Sequence, residues 1–184
     1  MLSVIIPTYN ERENVPELVE RTLRVFDRLA ESAELIVVDD DSPDGTAGVL
    51  RRLAAERNET QRIRVLVRTE ERGLAKAVIA GFDAACGDVV AVMDADLSHP
   101  PETLPDMLAA IRSGADIAVA SRYVSGGGTD GWPRWRQFIS RSACWLARGV
   151  TRVKDATSGF FALRRELMSD LQVNPRGSTI GLEL

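Results

Sequence analysis

The sequence predicts an α/β fold in which a mostly parallel central sheet is covered by helices on both faces. Continuously apolar runs such as 34–38, 63–67 and 89–93 are typical of strands buried on both sides. Between these runs, apolar residues recur at steps of three and four, which is typical of helices that pack by one face. This alternation of strand and helix indicates a parallel sheet. We expect one domain over 1–184, because 184 residues fit a single domain.

Each element is justified by its own pattern. Asn14 is predicted to cap the first helix, with Glu17 completing a capping box and Pro16 in the first turn. Asp44 and Thr46 are expected to begin the second helix. The predicted strands are 3–7, 34–38, 63–67, 89–93 and 116–120, and the predicted helices after the first are 44–57, 73–85 and 102–111.

Composition excludes several classes of protein. A net charge of −4 argues against a dedicated nucleic-acid binder, so we expect no nucleic-acid partner. Cys86 and Cys144 fit no metal-binding or disulfide spacing and are interpreted as small buried residues. The N-terminus resembles no signal peptide, and no stretch approaches the roughly 20 apolar residues of a transmembrane segment. We therefore expect a cytoplasmic protein whose contact with membranes is peripheral.

Polar clusters follow four of the predicted strands directly, at 7–13, 39–45, 94–99 and 121–123. Open parallel sheets bind ligands at the carboxyl ends of their strands. We therefore expect these clusters to meet at one end of the sheet and to form a binding site there.

Two of the clusters are rich in carboxylates. Asp94 and Asp96 follow a buried strand, and oxygen ligands without Cys or His favour Mg²⁺ or Mn²⁺. The alternative is that the pair only caps the following loop and helix. In 39–45, three adjacent aspartates repel one another, which indicates that Asp40 binds a ribose or a base. The alternative there is turn chemistry, with Asp44 as a helix cap.

A set of motifs in order along the chain resembles the dolichol-phosphate mannose synthase group of the family-2 glycosyltransferases. The motifs are PTYNERENV, VVDDDSPDGT, RGLAKAVIAGF, VVAVMDADLSHPPE, ASRYVSGGG, GWPRWRQFISR and TSGFFALRRE. The resemblance implies a GT-A type nucleotide-diphospho-sugar transferase fold. It also implies inverting transfer of mannose from GDP-mannose to a dolichyl or polyprenyl phosphate.

By the same resemblance, individual positions receive roles. Pro7, Tyr9, Glu11, Val38 and Asp40 are implied to line the donor nucleotide pocket. The residues implied to hold the metal and the diphosphate are Asp94, Ala95 and Asp96, with Ser98 as a third metal ligand in place of a glutamine found in some relatives. Arg122 is implied to be catalytic with Asp94 and Asp96 and to contact the donor, and Arg136 to face a phosphate of the acceptor or diphosphate.

The residue pattern is consistent with a phosphate acceptor. A phosphate monoester has a second pKa of about 6 and is already ionised near neutral pH, so it needs no strong general base. The single histidine, His99, lies in LSHPPE, which is interpreted as a rigid turn rather than a catalytic base.

The segment 132–154 carries all three tryptophans, six Lys or Arg residues and no acidic residue. Such a segment fits a helix lying on an anionic membrane surface, and the alternative is a core helix with a solvated basic face. With a lipid-phosphate acceptor, we expect it to dock on the cytosolic face of a membrane.

Other functions remain open. The transferred sugar is glucose or another hexose in one alternative, with UDP-glucose as donor. A nucleotidyltransferase is disfavoured because 5–12 lacks a glycine-rich phosphate loop. Relatives continue into an acceptor loop beyond the position of Leu184, so we expect a chain truncated at its C-terminus. In the last alternative, this leaves a nucleotide-sugar-binding domain without turnover.

Overall fold

A computed structural model of the chain describes residues 1–70, 72–121 and 158–170, without the side chains of 169 and 170. Within these residues six strands form one sheet in the order β3-β2-β1-β4-β6-β5. The strands are β1 (Leu2–Thr8), β2 (Ala33–Asp39), β3 (Ile63–Val67), β4 (Val89–Val92), β5 (Ile117–Val119) and β6 (Phe161–Arg164).

The sheet is mostly parallel, as predicted. β1 pairs in parallel with both β2 and β4, and β2 pairs in parallel with β3. The exception is β6, which the sequence analysis missed. This strand runs antiparallel between β4 and β5 and pairs with both, so β5 is not adjacent to β4.

The predicted helices are present with small shifts at their ends. In the described residues they are α1 (Val15–Phe26), α2 (Thr46–Glu56), α3 (Leu74–Ala84), α4 (Leu104–Arg112) and the short α5 (Glu166–Asp170). A 3₁₀ turn at Pro101–Thr103 precedes α4. None of the helices in this part of the chain is both long and apolar enough to cross a bilayer.

Alternate side chains of the strands enter two separate cores. Val4 and Leu35 pack on the face covered by α1, α2 and α4. Ile5 and Ile36 pack on the opposite face, which is covered by α3. The prediction of helices on both faces is therefore confirmed.

Helix α3 lies very close to β1. A Cβ added at Gly81 would be 2.4 Å from Ile5 Cγ2, and the Ile5 side chain is fully buried. Glycine thus permits a closer approach of this helix to the sheet than any other residue would.

The start of α1 differs from the prediction. Asn14 has helical backbone angles and makes no side-chain capping hydrogen bond, so the capping-box prediction is wrong. Its Nδ2 instead donates to Glu11 Oε2 at 2.7 Å. The expected role of Asp44 is confirmed, since Asp44 Oδ1 accepts the N–H and the hydroxyl of Thr46 at 2.9 and 2.6 Å.

At the amino ends of the strands, Glu34 is a buried carboxylate with three donors. Its oxygens accept from Ser3 Oγ and the Cys86 N–H, both at 2.7 Å, and from Arg64 Nη1 at 3.2 Å. Burial opposes ionisation, but these bonds outweigh it and hold the pKa of Glu34 below its ordinary value. Cys86 itself is exposed, so the expectation that it is buried is wrong.

Candidate functional site

The loops after β1 and β2 are bonded to each other at the carboxyl ends of these strands. The bonds run from Thr8 Oγ1 to Asp39 Oδ1 (3.0 Å), from the Asn10 N–H to Ser42 Oγ (3.0 Å) and from the Glu11 N–H to Thr46 Oγ1 (3.1 Å). These contacts bring the first two predicted polar clusters together. They also fix the β1 loop against the start of α2.

The three adjacent aspartates after β2 point to three different partners. Asp39 is buried and accepts the Ser42 N–H and hydroxyl at 2.9 and 2.6 Å. Asp40, also buried, accepts the Gly73 N–H at 2.7 Å and lies 3.4 Å from Arg68 Nε. Asp41 pairs with Arg72 at 3.0 Å. Separate donors therefore offset the mutual repulsion that the sequence indicated.

A cavity of about 400 Å³ opens between these loops and the start of α3. Its lining consists of Pro7, Thr8, Tyr9, Asp40, Arg72, Gly73, Leu74 and Ala77. Three of the predicted donor residues, Pro7, Tyr9 and Asp40, are brought together here. A cavity of this size falls within the range of small-molecule sites.

Two other predicted donor residues do not line this cavity. Val38 has no exposed surface and packs in the core beneath α3. Glu11 is half-buried, and its carboxylate accepts the Asn14 side-chain amide at 2.7 Å. Glu11 therefore orders the start of α1 in the described structure.

The cavity also includes residues that the sequence analysis did not assign. Arg72 lies with its Cζ 5.9 Å from the centre of the Tyr9 ring, and Tyr9 is 52% exposed. Gly73 has a φ of 138° and donates its N–H to Asp40. The glycine before a helix in RGLAKAV was the available signal, because a backbone N–H at that position often binds a ligand or a carboxylate.

The loop after β4 carries the predicted metal ligands. Asp94 donates its N–H to His99 Nδ1 at 3.0 Å, and Asp96 Oδ1 accepts the Ser98 N–H at 3.0 Å. Asp96 and Ser98 are exposed, whereas Ala95 is 3% exposed and packs in the core. The structure thus holds both carboxylates in one short, bonded turn.

Every loop at this end of β1 to β4 contains a residue with positive φ. The residues and angles are Asn10 (61°), Asp41 (53°), Gly73 (138°) and Leu97 (62°). Asn, Asp and Gly adopt this region readily, but a leucine does so only when its surroundings enforce it. Strained backbone of this kind clusters at binding and catalytic sites.

The donor atoms present fit a hard divalent cation. In the described part of the chain, no three His, Cys, Asp or Glu side chains form a ready metal cluster. Mg²⁺, however, is commonly held by one or two carboxylates while substrate phosphates and water complete the shell. Asp94 and Asp96 supply two such carboxylates on a partly exposed loop.

Arg122, Arg136 and the basic segment 132–154 lie outside the described residues. The same is true of Cys144 and of everything after 170.

The profile of glycosyl transferase family 2 matches residues 3–172. The chain belongs to this family. A dolichol-phosphate mannosyltransferase of Pyrococcus furiosus is 47% identical over 187 residues, which cover 100% of this chain and 51% of that protein. The Saccharomyces cerevisiae dolichol-phosphate mannosyltransferase is 39% identical, covering 99% of this chain and 68% of its own. These relatives place the chain in the dolichol-phosphate mannose synthase group, although it spans only about half of the archaeal protein.

Solved structures support the same fold. The glucosyl-3-phosphoglycerate synthase of Mycobacterium tuberculosis, in complex with UDP, has a TM-score of 0.72 at 22% identity and covers 99% of this chain and 62% of its own. A mannosyltransferase of Pyrobaculum calidifontis, in complex with GDP-Man and Mn²⁺, has a TM-score of 0.69 at 25% identity, covering 98% of this chain and 49% of its own. The predicted GT-A fold is confirmed.

Proposed function

We propose that the chain is the catalytic domain of a metal-dependent, inverting mannosyltransferase that uses GDP-mannose and a dolichyl or polyprenyl phosphate. The geometric observation that carries the proposal is the position of the cavity relative to Asp94 and Asp96. The cavity lies at the ends of β1 and β2, and the carboxylates follow β4, which is the other neighbour of β1. With strands about 5 Å apart, this spacing suits a nucleoside in the cavity and its diphosphate at the β4 loop.

The donor nucleoside would lie between Tyr9 and the start of α3. Tyr9 and Arg72 present an aromatic face and a guanidinium at the cavity mouth, both of which stack on nucleobases. Asp40, held by Arg68 and the Gly73 N–H, offers carboxylate oxygens to N–H or O–H groups of the nucleoside. These residues bind and orient the donor.

Asp94 and Asp96 would hold Mg²⁺ or Mn²⁺, with Ser98 as a further oxygen. When bound, the cation would neutralise charge on the departing diphosphate. The chain's own contribution is to hold the two carboxylates at a fixed place in the β4 loop, which avoids reorganisation during the reaction.

In the proposed reaction, a phosphate oxygen of the lipid forms a bond to the anomeric carbon of mannose. The bond from that carbon to the diphosphate breaks, and GDP leaves with the electron pair. The acceptor is already ionised near neutral pH, so no side chain has to remove a proton. This agrees with the structure, in which His99 Nδ1 is occupied by the Asp94 N–H.

The membrane contact is part of the proposal. The acceptor is a lipid, so its phosphate must reach the active site from a membrane surface. Segment 132–154 supplies the basic and tryptophan residues suited to an anionic cytosolic leaflet, and Arg122 and Arg136 would meet phosphate groups.

The proposal is tested by measuring transfer of labelled mannose from GDP-mannose to a polyprenyl phosphate in phospholipid vesicles. Asp96→Asn should reduce transfer by at least about 100-fold, because a metal site contributes several kcal/mol to such reactions. Asp83→Asn is the matched control, since Asp83 is exposed near the far end of α3. Absence of transfer by the unsubstituted chain, or equal transfer by Asp96→Asn, would contradict the proposal.

Two alternatives give different results in the same assay. Transfer from UDP-glucose in preference to GDP-mannose would keep the reaction class and change the sugar. Binding of nucleotide sugar without transfer would indicate a binding domain that lacks turnover.

A further inference from the structure

Asp94 lies between two residues that have no role in the proposed chemistry, His99 and Gly159. His99 belongs to the same loop, five positions later, whereas Gly159 directly precedes Phe160 and β6. The inference below concerns how these two residues hold the Asp94 carboxylate. It rests on the proposed function in one respect, which is that Asp94 binds the metal.

His99 is fixed from two sides. It is 8% exposed, and its Nδ1 accepts the Asp94 N–H at 3.0 Å. Its ring also stacks on Phe160, with ring centres 5.3 Å apart and an interplanar angle of 28°. The ring therefore links the backbone of Asp94 to the segment that begins β6.

Gly159 leaves only enough space for the Asp94 carboxylate. A Cβ at this position would lie 3.0 Å from Asp94 Oδ2 and 3.4 Å from Oδ1. It would also lie 3.4 Å from His99 Cε1. Any side chain here would press on the carboxylate, even though Gly159 has no left-handed backbone that requires glycine.

The backbone around Gly159 is anchored and has little freedom to move away. Ser158 Oγ donates to the Ala120 carbonyl at 2.8 Å and accepts the Phe160 N–H at 3.3 Å. The Ala120 N–H in turn donates to the Phe160 carbonyl at 2.9 Å. Asp94, by contrast, has a side chain that is 41% exposed, so an added methyl group would displace the carboxylate rather than the backbone.

We infer that His99 and Gly159 are positioning residues that set the place of the Asp94 carboxylate for metal binding. His99 fixes the backbone of Asp94, and Gly159 leaves the space that the carboxylate occupies. β6 thus takes part in the metal site although it contributes no ligand.

The first test compares Gly159→Ala with Gly48→Ala, a control in α2 whose added Cβ meets nothing within 4 Å. Mn²⁺ binding is measured by electron paramagnetic resonance, with Mn²⁺ alone and with Mn²⁺ and GDP. Gly159→Ala should weaken Mn²⁺ binding by about 10-fold, as is typical when residues that orient metal ligands are changed. Its thermal unfolding without metal should stay close to that of the unsubstituted chain. Mn²⁺ affinity equal to the control would overturn the inference.

A second pair of variants separates the two contacts of His99. His99→Asn keeps an acceptor near the place of Nδ1 and loses the ring, whereas His99→Phe keeps a ring and loses the acceptor. If His99 acts by holding the Asp94 N–H, His99→Asn should retain more Mn²⁺ affinity than His99→Phe. The reverse order would contradict this role, and the Gly159 test stands if either variant fails to fold.

The readout is independent of the sugar and the acceptor. If the unsubstituted chain binds Mn²⁺ and Gly159→Ala weakens it while no mannose is transferred, the inference holds and the proposed function fails. If the unsubstituted chain transfers mannose and Gly159→Ala binds Mn²⁺ normally, the reverse is true. Failure of the unsubstituted chain to bind Mn²⁺ with GDP would overturn the inference.

Discussion

Arg72 shows how one side chain connects charge and aromatic surface at the mouth of the cavity. It pairs with Asp41 at 3.0 Å while its guanidinium lies over Tyr9. The ion pair is about half exposed on both sides, so it contributes little to stability. Its consequence is orientation, because Asp41 holds the guanidinium where it covers the ring.

Arg72→Ala should therefore weaken nucleotide binding more than it weakens folding. Loss of an exposed cation–π contact corresponds to about a two- to fivefold increase in the dissociation constant for GDP. Calorimetric titration with GDP measures this. Arg52→Ala is the control, because Arg52 is exposed on α2 and pairs only with Glu56 at 3.6 Å among the contacts described. Equal affinities for the two variants would contradict the role of Arg72.

Asp44 carries a separate prediction about stability. Its carboxylate accepts from Thr46 and from the Arg12 N–H at 3.0 Å, so it caps α2 and holds the β1 loop. Asp44→Ala should lower the free energy of unfolding by about 1 kcal/mol, the usual cost of a lost cap. Asp44→Ser should retain much of it. Urea denaturation compares them, and an unchanged midpoint for Asp44→Ala would contradict the capping role.

At the level of elements, most of the fold could be predicted because the strands are continuous apolar runs. β1 to β5 and α1 to α4 were all expected within a few residues. β6 was missed because 161–164 is too short to distinguish from a helical segment by its pattern alone. Its identity depends on pairing with Val89–Val92, about 70 positions earlier, which local sequence does not reveal.

The site was predictable to the same degree and for the same reason. Pro7, Tyr9 and Asp40 were expected together because they follow neighbouring parallel strands. The contribution of Arg72 to Ala77 was missed, since it depends on where the start of α3 crosses the sheet. Val38 was carried over from the family resemblance, and its side chain lies in the core.

The contact of α3 with β1 gives a prediction at this scale. Gly81→Ala should lower the free energy of unfolding by about 1–3 kcal/mol, the usual range for overpacking a core. The added methyl group would collide with the buried Ile5 side chain. Gly48→Ala, in open space on α2, should instead raise it by up to about 1 kcal/mol. Urea denaturation distinguishes them, and equal effects would contradict the close packing.

Over the whole molecule, the two ends of the sheet have different tasks. The carboxyl end holds the cavity and the β4 loop, whereas the amino end holds an ion-pair network. There Arg112 pairs with Asp88 and, at 2.6 Å, with Glu31, which links the end of α4 to the segments before β2 and β4. Hydrogen bonds from Arg112 hold the pKa of both carboxyl groups below their ordinary values.

This network predicts a pH dependence of stability. Because the pKa values are lowered in the folded state, the stabilisation is present above the ordinary carboxyl pKa of about 4 and is lost as the pH falls below it. Stability should thus fall less steeply between about pH 5 and pH 3 in Arg112→Gln than in the unsubstituted chain. Urea denaturation across this range measures it, with Arg51→Gln on exposed α2 as the control. Parallel curves would contradict the role of Arg112.

The central claim is that the carboxyl end of the sheet binds GDP-mannose together with a divalent cation. Calorimetric titration of the chain with GDP-mannose and with UDP-glucose, each with and without Mn²⁺, tests it most directly. The account predicts that GDP-mannose binds more tightly than UDP-glucose and that its binding requires Mn²⁺. Tighter binding of UDP-glucose, or binding of GDP-mannose that does not depend on Mn²⁺, would contradict it.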